Sequence, residues 1–238
     1  MMSGCRKEEA VSNDLSLVKK LSKALSPAFG RMRTLLRKIS GFFPELLCRM
    51  RYRSSLYRSS CRIAKYSDLK KDRGAYGEFL VYDALRREKG RWLFNLYLPK
   101  GEEKTEIDAL LLSERGIFLL ESKNFSGRVY GSVGNPEWFH TFETSRGIKK
   151  QRFFNPIMQN SAHKKALCRL IGREEVIFPM VVFGKNTDLR VQAPKEYSKE
   201  LMTLKRLPSA VHSFEKGALE QEEIERLYGV LEPYTRVD

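Results

Sequence analysis

Hydrophobic and polar positions change period several times along the chain, and each change marks an element. Between Thr105 and Lys123 two runs rich in Ile, Leu and Phe flank Ser113-Glu114-Arg115-Gly116. Apolar runs of this length bounded by turn residues predict two buried strands, Thr105–Leu112 and Ile117–Lys123, joined as a hairpin in which Gly116 is free to take positive φ. Upstream, KDRGAYGEFLVYDALRREKG places Val81, Tyr82 and Leu85 at helical spacing, with Glu78 one turn before Tyr82 on the same side. Downstream, NPIMQNSAHKKALCRLIG reads as a helix punctuated at both ends: Asn155 as N-cap, Pro156 at the first helical position and Gly172 just past the last turn. The apolar run Val176–Phe183 suits a buried strand closed by Gly184-Lys185-Asn186, with Pro179 arguing for an edge position or a bulge. Residues 200–204 predict a short strand, and Leu207–Phe214 and Glu220–Leu231 closing helices. The stretch between Gly127 and Asn155, punctuated by Asn135-Pro136 and Gly147, reads as irregular, with Trp138 and Phe139 packing over the sheet. The order helix, three-strand meander, helix, strand defines an α/β core.

The hairpin carries the chemistry. An even-numbered loop sets Asp108 opposite Glu121 and Glu106 opposite Lys123, whereas a three-residue loop would turn every side chain to the other face. Directly opposed residues have Cβ atoms roughly 4.5–5.5 Å apart, where two anions repel unless a cation lies between them, and a divalent metal takes such oxygens as ligands. Glu121 and Lys123 share one face of their strand, so carboxylate and ammonium converge. A carboxylate pair with a neighbouring lysine suits phosphodiester hydrolysis: the acids hold a cation that activates water and neutralises the scissile phosphate, and the lysine positions the nucleophile or steadies the developing anion. A surface salt-bridge ladder is the plain alternative for that spacing taken alone. Glu78, on the buried edge of its helix, is a third acidic candidate, against the simpler reading of a first-turn glutamate favoured by the helix dipole. Gly74 and Gly77 permit close approach of a strand or a phosphate backbone. Gln159 and His163 project from one helix face toward Leu167 and Leu170; spacing leaves His163 open between a core histidine and a ligand.

Together these residues resemble the nuclease-related domain, NERD, a branch of the PD-(D/E)xK nuclease superfamily. The resemblance rests on Gly74, Gly77 and Glu78; Thr105 to Asp108; Gly116 to Gly127; Tyr130-Gly131 and Trp138; and Asn155, Pro156, Gln159, Asn160 and His163, in that order over about residues 72–185. It implies a restriction-endonuclease-like fold with Glu78, Asp108, Glu121 and Lys123 as the nuclease set and Gln159 at the helical position where related nucleases often keep a glutamine. It implies Mg²⁺ or Mn²⁺ held by Asp108 and Glu121, with the Ser122 carbonyl completing the shell and Glu78 on a second metal or a bound water. The expected activity is hydrolysis of DNA, more than RNA, in DNA processing or defence. The rival is a nucleic-acid-binding module that keeps the fold without cleavage.

Charge divides the chain. Residues 1–71 hold 17 Lys and Arg against 5 Asp and Glu, a net of +12, while the remaining 27 against 24 supply only +3 of the total +15. The expected organisation is therefore a basic amphipathic arm, 1–71, followed by the nuclease-like domain, 72–238. In the arm, Leu17, Leu21 and Leu25, then Met32, Leu35, Leu36, Ile39 and Phe43, suit basic amphipathic helices, and Tyr52 and Tyr57 lie among arginines that suit phosphates and stacked bases. Three roles compete for it: a nucleic-acid tether, an anchor on an anionic membrane surface through residues 1–65, or a helical hairpin packed on the domain. No apolar run approaches the roughly 20 residues of a membrane span, no uninterrupted signal-peptide core is present, and the chain reads as cytoplasmic. Cys5, Cys48, Cys61 and Cys168 lie too far apart for a zinc ribbon or a disulfide framework. Walker-type phosphate loops and nucleophile-elbow serines are absent, which leaves NTP hydrolysis and acyl transfer without support, and oligomeric state stays open.

Overall fold

A computed structural model describes residues 43–235. The helices expected around Leu17–Leu25 and Met32–Ile39 lie outside the described residues. The chain divides into two compact units, residues 1–51 and 52–238. In the first, residues 43–51 are helical; the rest of the description concerns the second. Among the described residues no helix is long and apolar enough to cross a membrane.

The second unit opens with two short helices, α1 (Leu56–Ser60) and α2 (Tyr66–Leu69), before the long α3 (Arg73–Leu85). Asp72 caps α3 by accepting the Ala75 N–H at 3.1 Å. Burial along α3 is broader than one stripe and includes Gly77 and Phe79 beside Val81 and Leu85. The meander follows as β1 (Arg91–Lys100), β2 (Glu103–Ser113) and β3 (Gly116–Lys123), all antiparallel. Its second turn is the tight loop at Glu114-Arg115. Gly116 sits there at φ +123°, where a Cβ would stand 2.5 Å from the Phe178 ring, so only glycine fits.

The expected irregular stretch is a correction: residues 127–154 form three strands, β4 (Gly127–Ser132), β5 (Glu137–Thr144) and β6 (Gly147–Phe154). They pair antiparallel in sequence, and β4 also pairs in parallel with β8 (Thr187–Gln192), giving a second sheet ordered β6-β5-β4-β8. Trp138 is fully buried among Val129, Ile157, Val181 and Phe183, as expected of a packing aromatic, whereas Phe139 lies on the opposite face under the Lys150 ammonium.

Helix α4 (Pro156–Ile171) then crosses back. Asn155 Oδ1 accepts the N–H groups of Ile157 and Met158, and Gly172 closes the helix at φ 71°. The Asn155 Nδ2 donates to the carbonyls of Val133 and Asn135 at 3.0 and 2.8 Å, so one residue both starts the helix and fastens it to the β4–β5 turn. Strand β7 (Ile177–Phe183) pairs in parallel with β3 and, through residues 181–183, with the short β9 (Leu201–Thr203), completing the five-stranded order β1-β2-β3-β7-β9. Pro179 is accommodated because β9 starts beyond it. The Val181 N–H points toward β9 onto the Glu200 carbonyl, so the missing Pro179 donor falls where no strand stands to receive it. Helices α5 (Leu207–His212) and α6 (Gln221–Leu231) close the unit.

The main core lies between one face of the five-stranded sheet and α4 and α6, joining Leu110, Leu112, Ile117 and Leu119 to Leu167, Ile224, Leu227 and Leu231. Helix α3 packs on β3, and its Tyr82 meets the Trp92 and Phe94 rings of β1. The architecture is mixed α/β, with a five-stranded sheet flanked by helices and a second, four-stranded sheet.

Candidate active site

The hairpin register is the expected one: Ala109 pairs with Leu120 and Leu110 with Leu119, which carries Asp108 and Glu121 to facing positions where that ladder ends. On the other side the β1–β2 ladder skips Asn95 between Phe94↔Ala109 and Leu96↔Ile107, and Asn95 stands in left-handed conformation at φ 52°. Asp108 is therefore paired in neither ladder. Its Oδ2 instead accepts the Ser122 N–H at 2.8 Å. Burial drives the Asp108 carboxyl well above the ordinary carboxylate range, and the charges of Glu121 and then Glu78 push it further, against the pull of the Ser122 N–H and Lys123.

Glu121 is 2% exposed. Lys123 Nζ donates to its Oε1 at 2.6 Å and to Gln159 Oε1 at 3.3 Å, so the strand and α4 meet on one ammonium. Glu121 Oε2 faces His163 Nε2 at 3.5 Å, an electrostatic contact too long for a hydrogen bond, and neither atom has a hydrogen-bond partner among the described residues. Burial alone would raise the Glu121 carboxyl, but His163 and Lys123 outweigh it and hold it below its ordinary value. His163 Nδ1 pairs with Thr105 Oγ1 at 2.9 Å, and Asn160 Nδ2 reaches the Leu119 carbonyl at 3.3 Å.

Glu78 points inward. Its Oε2 accepts the Tyr57 hydroxyl at 2.8 Å, and burial, foremost, with Glu106, Asp72 and Glu121 beyond, raises its carboxyl. Burial and then Glu78 raise the Tyr57 hydroxyl too, which keeps it a donor. Helix α3 comes this close because residue 77 is glycine: a Cβ there would lie 2.6 Å from Asn124 Cβ and 2.7 Å from Ser122 Oγ. Gly74 is less constrained.

Asp108, Glu121, Lys123 and Gln159 are thus joined by hydrogen bonds or facing register, while Glu78 reaches the first two only through its charge. Glu106 stays outside, on the Tyr97 hydroxyl at 2.8 Å. Two participants escaped sequence reasoning. Thr105 had no signal beyond its place in TEID. Tyr57 did have one, an aromatic among arginines, but it pointed to bases: Tyr52 and Tyr57 are both buried, packed on Phe79, with Tyr57 also edge-on to Phe94.

Among the described residues no three His, Cys, Asp or Glu side chains converge as a closed metal cage. The donors nonetheless fit a hard divalent cation. Asp108 is a carboxyl destabilised by neighbouring anions, Glu121 keeps a buried oxygen without a donor, and such a cation is commonly held by one or two carboxylates with water filling the rest.

Helix, hairpin with Asp108 and Glu121-Ser122-Lys123, and second helix with Gln159 make up a core of the PD-(D/E)xK type. Residues 73–184, from α3 to the end of β7, match the nuclease-related domain family, NERD. An uncharacterized protein of Bacillus anthracis is 29% identical over 128 residues, which is 53% of this chain and 58% of the relative, so the match spans little more than half the relative's length. No solved structure matches.

Proposed function

We propose that this protein is a divalent-metal-dependent nuclease that hydrolyses phosphodiester bonds of DNA. The observation that carries the reading is the Lys123 ammonium, held by Glu121 and Gln159 at the edge of the Asp108–Glu121 pair. An ammonium has three donors, two of which are committed here, leaving one for an attacking water or a phosphate oxygen. Asp108 and Glu121 would hold Mg²⁺ or Mn²⁺, which when bound lowers the pKa of a coordinated water and offsets charge on the phosphate. Gln159 fixes the Lys123 side chain, His163 and Thr105 back Glu121, and Tyr57 orients Glu78 toward the cluster. The nuclease-related domain supports nucleic acid as partner.

The test is incubation of the purified chain with linear, nicked and branched DNA in Mg²⁺ or Mn²⁺. Cleavage by the wild type and its loss in Asp108→Ala and Lys123→Ala are expected; cleavage surviving in both variants refutes the assignment. Salt-sensitive binding with no cleavage under either metal would establish the binding-module alternative.

A further inference from the structure

Helix α1 has two sides of different chemistry. Its inner side carries Tyr57 to Glu78. Beside it opens a cavity of about 510 Å³ lined by Arg53, Arg58 and Arg62 together with Ser54, Ser55 and Ser59. Arg58 organises the wall: its Nε donates to the Ala64 carbonyl at 3.3 Å and its Nη1 to the Arg53 carbonyl at 3.1 Å, tying both ends of the segment together. Among the described residues none of these three guanidiniums pairs with a carboxylate. The arginines of the second sheet and the domain's far end differ, since Arg128, Arg152, Arg173 and Arg190 each meet one.

Three unneutralised guanidiniums around one cavity repel one another and are stabilised by an anion. Their fork of donors matches phosphate oxygens. The carboxylate cluster beyond α1 has the opposite problem, because Glu78, Asp108 and Glu121 repel a phosphate backbone and cannot supply the attraction that brings it near. The Arg62 charge also acts on the Tyr97 hydroxyl, which engages Glu106. We propose that the cavity of Arg53, Arg58 and Arg62 grips the phosphodiester backbone of the nucleic acid and holds the strand beside the carboxylate cluster. The proposal rests on nucleic acid being the substrate and locates its grip at particular residues.

The experiment uses the full chain. In Arg53→Ala/Arg62→Ala the wall-forming Arg58 is kept, and Arg53→Lys/Arg62→Lys serves as the conservative partner. Binding to labelled duplex DNA is measured in EDTA across a salt series, so cleavage does not intervene, and thermal melts confirm folding. Loss of two phosphate contacts is expected to lower the log–log salt slope by about 1.8, at about 0.9 per contact, while the lysine pair keeps most of the slope. An unchanged slope in the alanine pair overturns the proposal. So does loss of binding to phosphatidylserine vesicles with the DNA slope intact, which would make the cavity a lipid-headgroup site. Cleavage of the same duplex by the wild type in Mg²⁺, measured alongside, separates the two readings. A slope change in the arginine variants without cleavage by the wild type keeps the cavity and sinks the nuclease assignment.

Discussion

Replacing Tyr57 with Phe removes one hydroxyl and leaves the aromatic packing in place. The ring is 1% exposed and meets Phe79 and Phe94 at centroid distances of 6.1 and 5.2 Å, contacts that phenylalanine retains. What disappears is the 2.8 Å hydrogen bond to Glu78 Oε2. A hydrogen bond to a charged group contributes about 1.5–3 kcal/mol, and Glu78 is half-buried, so a loss of about 2 kcal/mol is expected. For a unit of this size that is about 4–8 °C in Tm. The penalty depends on pH. Burial raises Glu78 above its ordinary 4.5, and the Tyr57 hydroxyl is the contact that pulls it back, so its folded pKa climbs further in Tyr57→Phe. The wild-type advantage is then full where Glu78 is ionised in both proteins and shrinks as pH falls through the two folded values, toward that of a neutral hydrogen bond, about 1 kcal/mol. Urea unfolding in EDTA at pH 8 and pH 4, in a cycle with Glu78→Gln, measures it. A penalty equal at both pH values, or one that adds to Glu78→Gln within about 0.5 kcal/mol at pH 8, would refute the coupling.

Asp108→Asn deletes a charge that burial and Glu121 disfavour, while its amide oxygen still accepts the Ser122 N–H; because a raised carboxyl costs stability increasingly as pH rises above its ordinary 3.8, the metal-free variant should melt above wild type at pH 8, with the gain fading at pH 4. A variant melting below wild type at both pH values would contradict that. Gly77→Ala should cost about 1–3 kcal/mol and slow cleavage, because the new methyl meets Asn124 and Ser122 and pushes α3, with Glu78, away from β3; an unchanged melt would mean the strand end yields freely. A chain starting at residue 52 should melt cooperatively, whereas one starting at 66 loses Tyr52 and Tyr57 from the core at about 3–5 kcal/mol each and should not; equal melts would show the aromatics to be dispensable.

The contrast between what the sequence made visible and what it hid has a physical cause. The hairpin was legible because both strands are buried and a two-residue turn fixes their register, so Asp108 and Glu121 could be set face to face without coordinates. Helix α4 was legible because Asn155, Pro156 and Gly172 are local signals. The second sheet was not: β6 is an edge strand exposed along nearly its whole length, with Lys149, Lys150 and Arg152 where a buried strand would carry apolar residues, and its pairing with β5 is invisible to a periodicity. Tyr57 was misread because its partners, Phe79, Phe94 and Glu78, lie far along the chain, and a tyrosine between arginines looks the same locally whether its ring faces solvent or core. Asn95 was hidden too, since its left-handed backbone sits inside an otherwise ordinary strand pattern, and its role is the more telling one. A fully regular β1–β2–β3 sheet would pair Asp108 on both sides. The skip at Asn95 and the end of the β3 ladder leave it paired on neither, and its carboxyl turns to the Ser122 N–H, one residue from Glu121 and Lys123. Asparagine adopts that conformation at less cost than other residues with a Cβ, so the interruption that frees Asp108 is made where the sequence can best bear it.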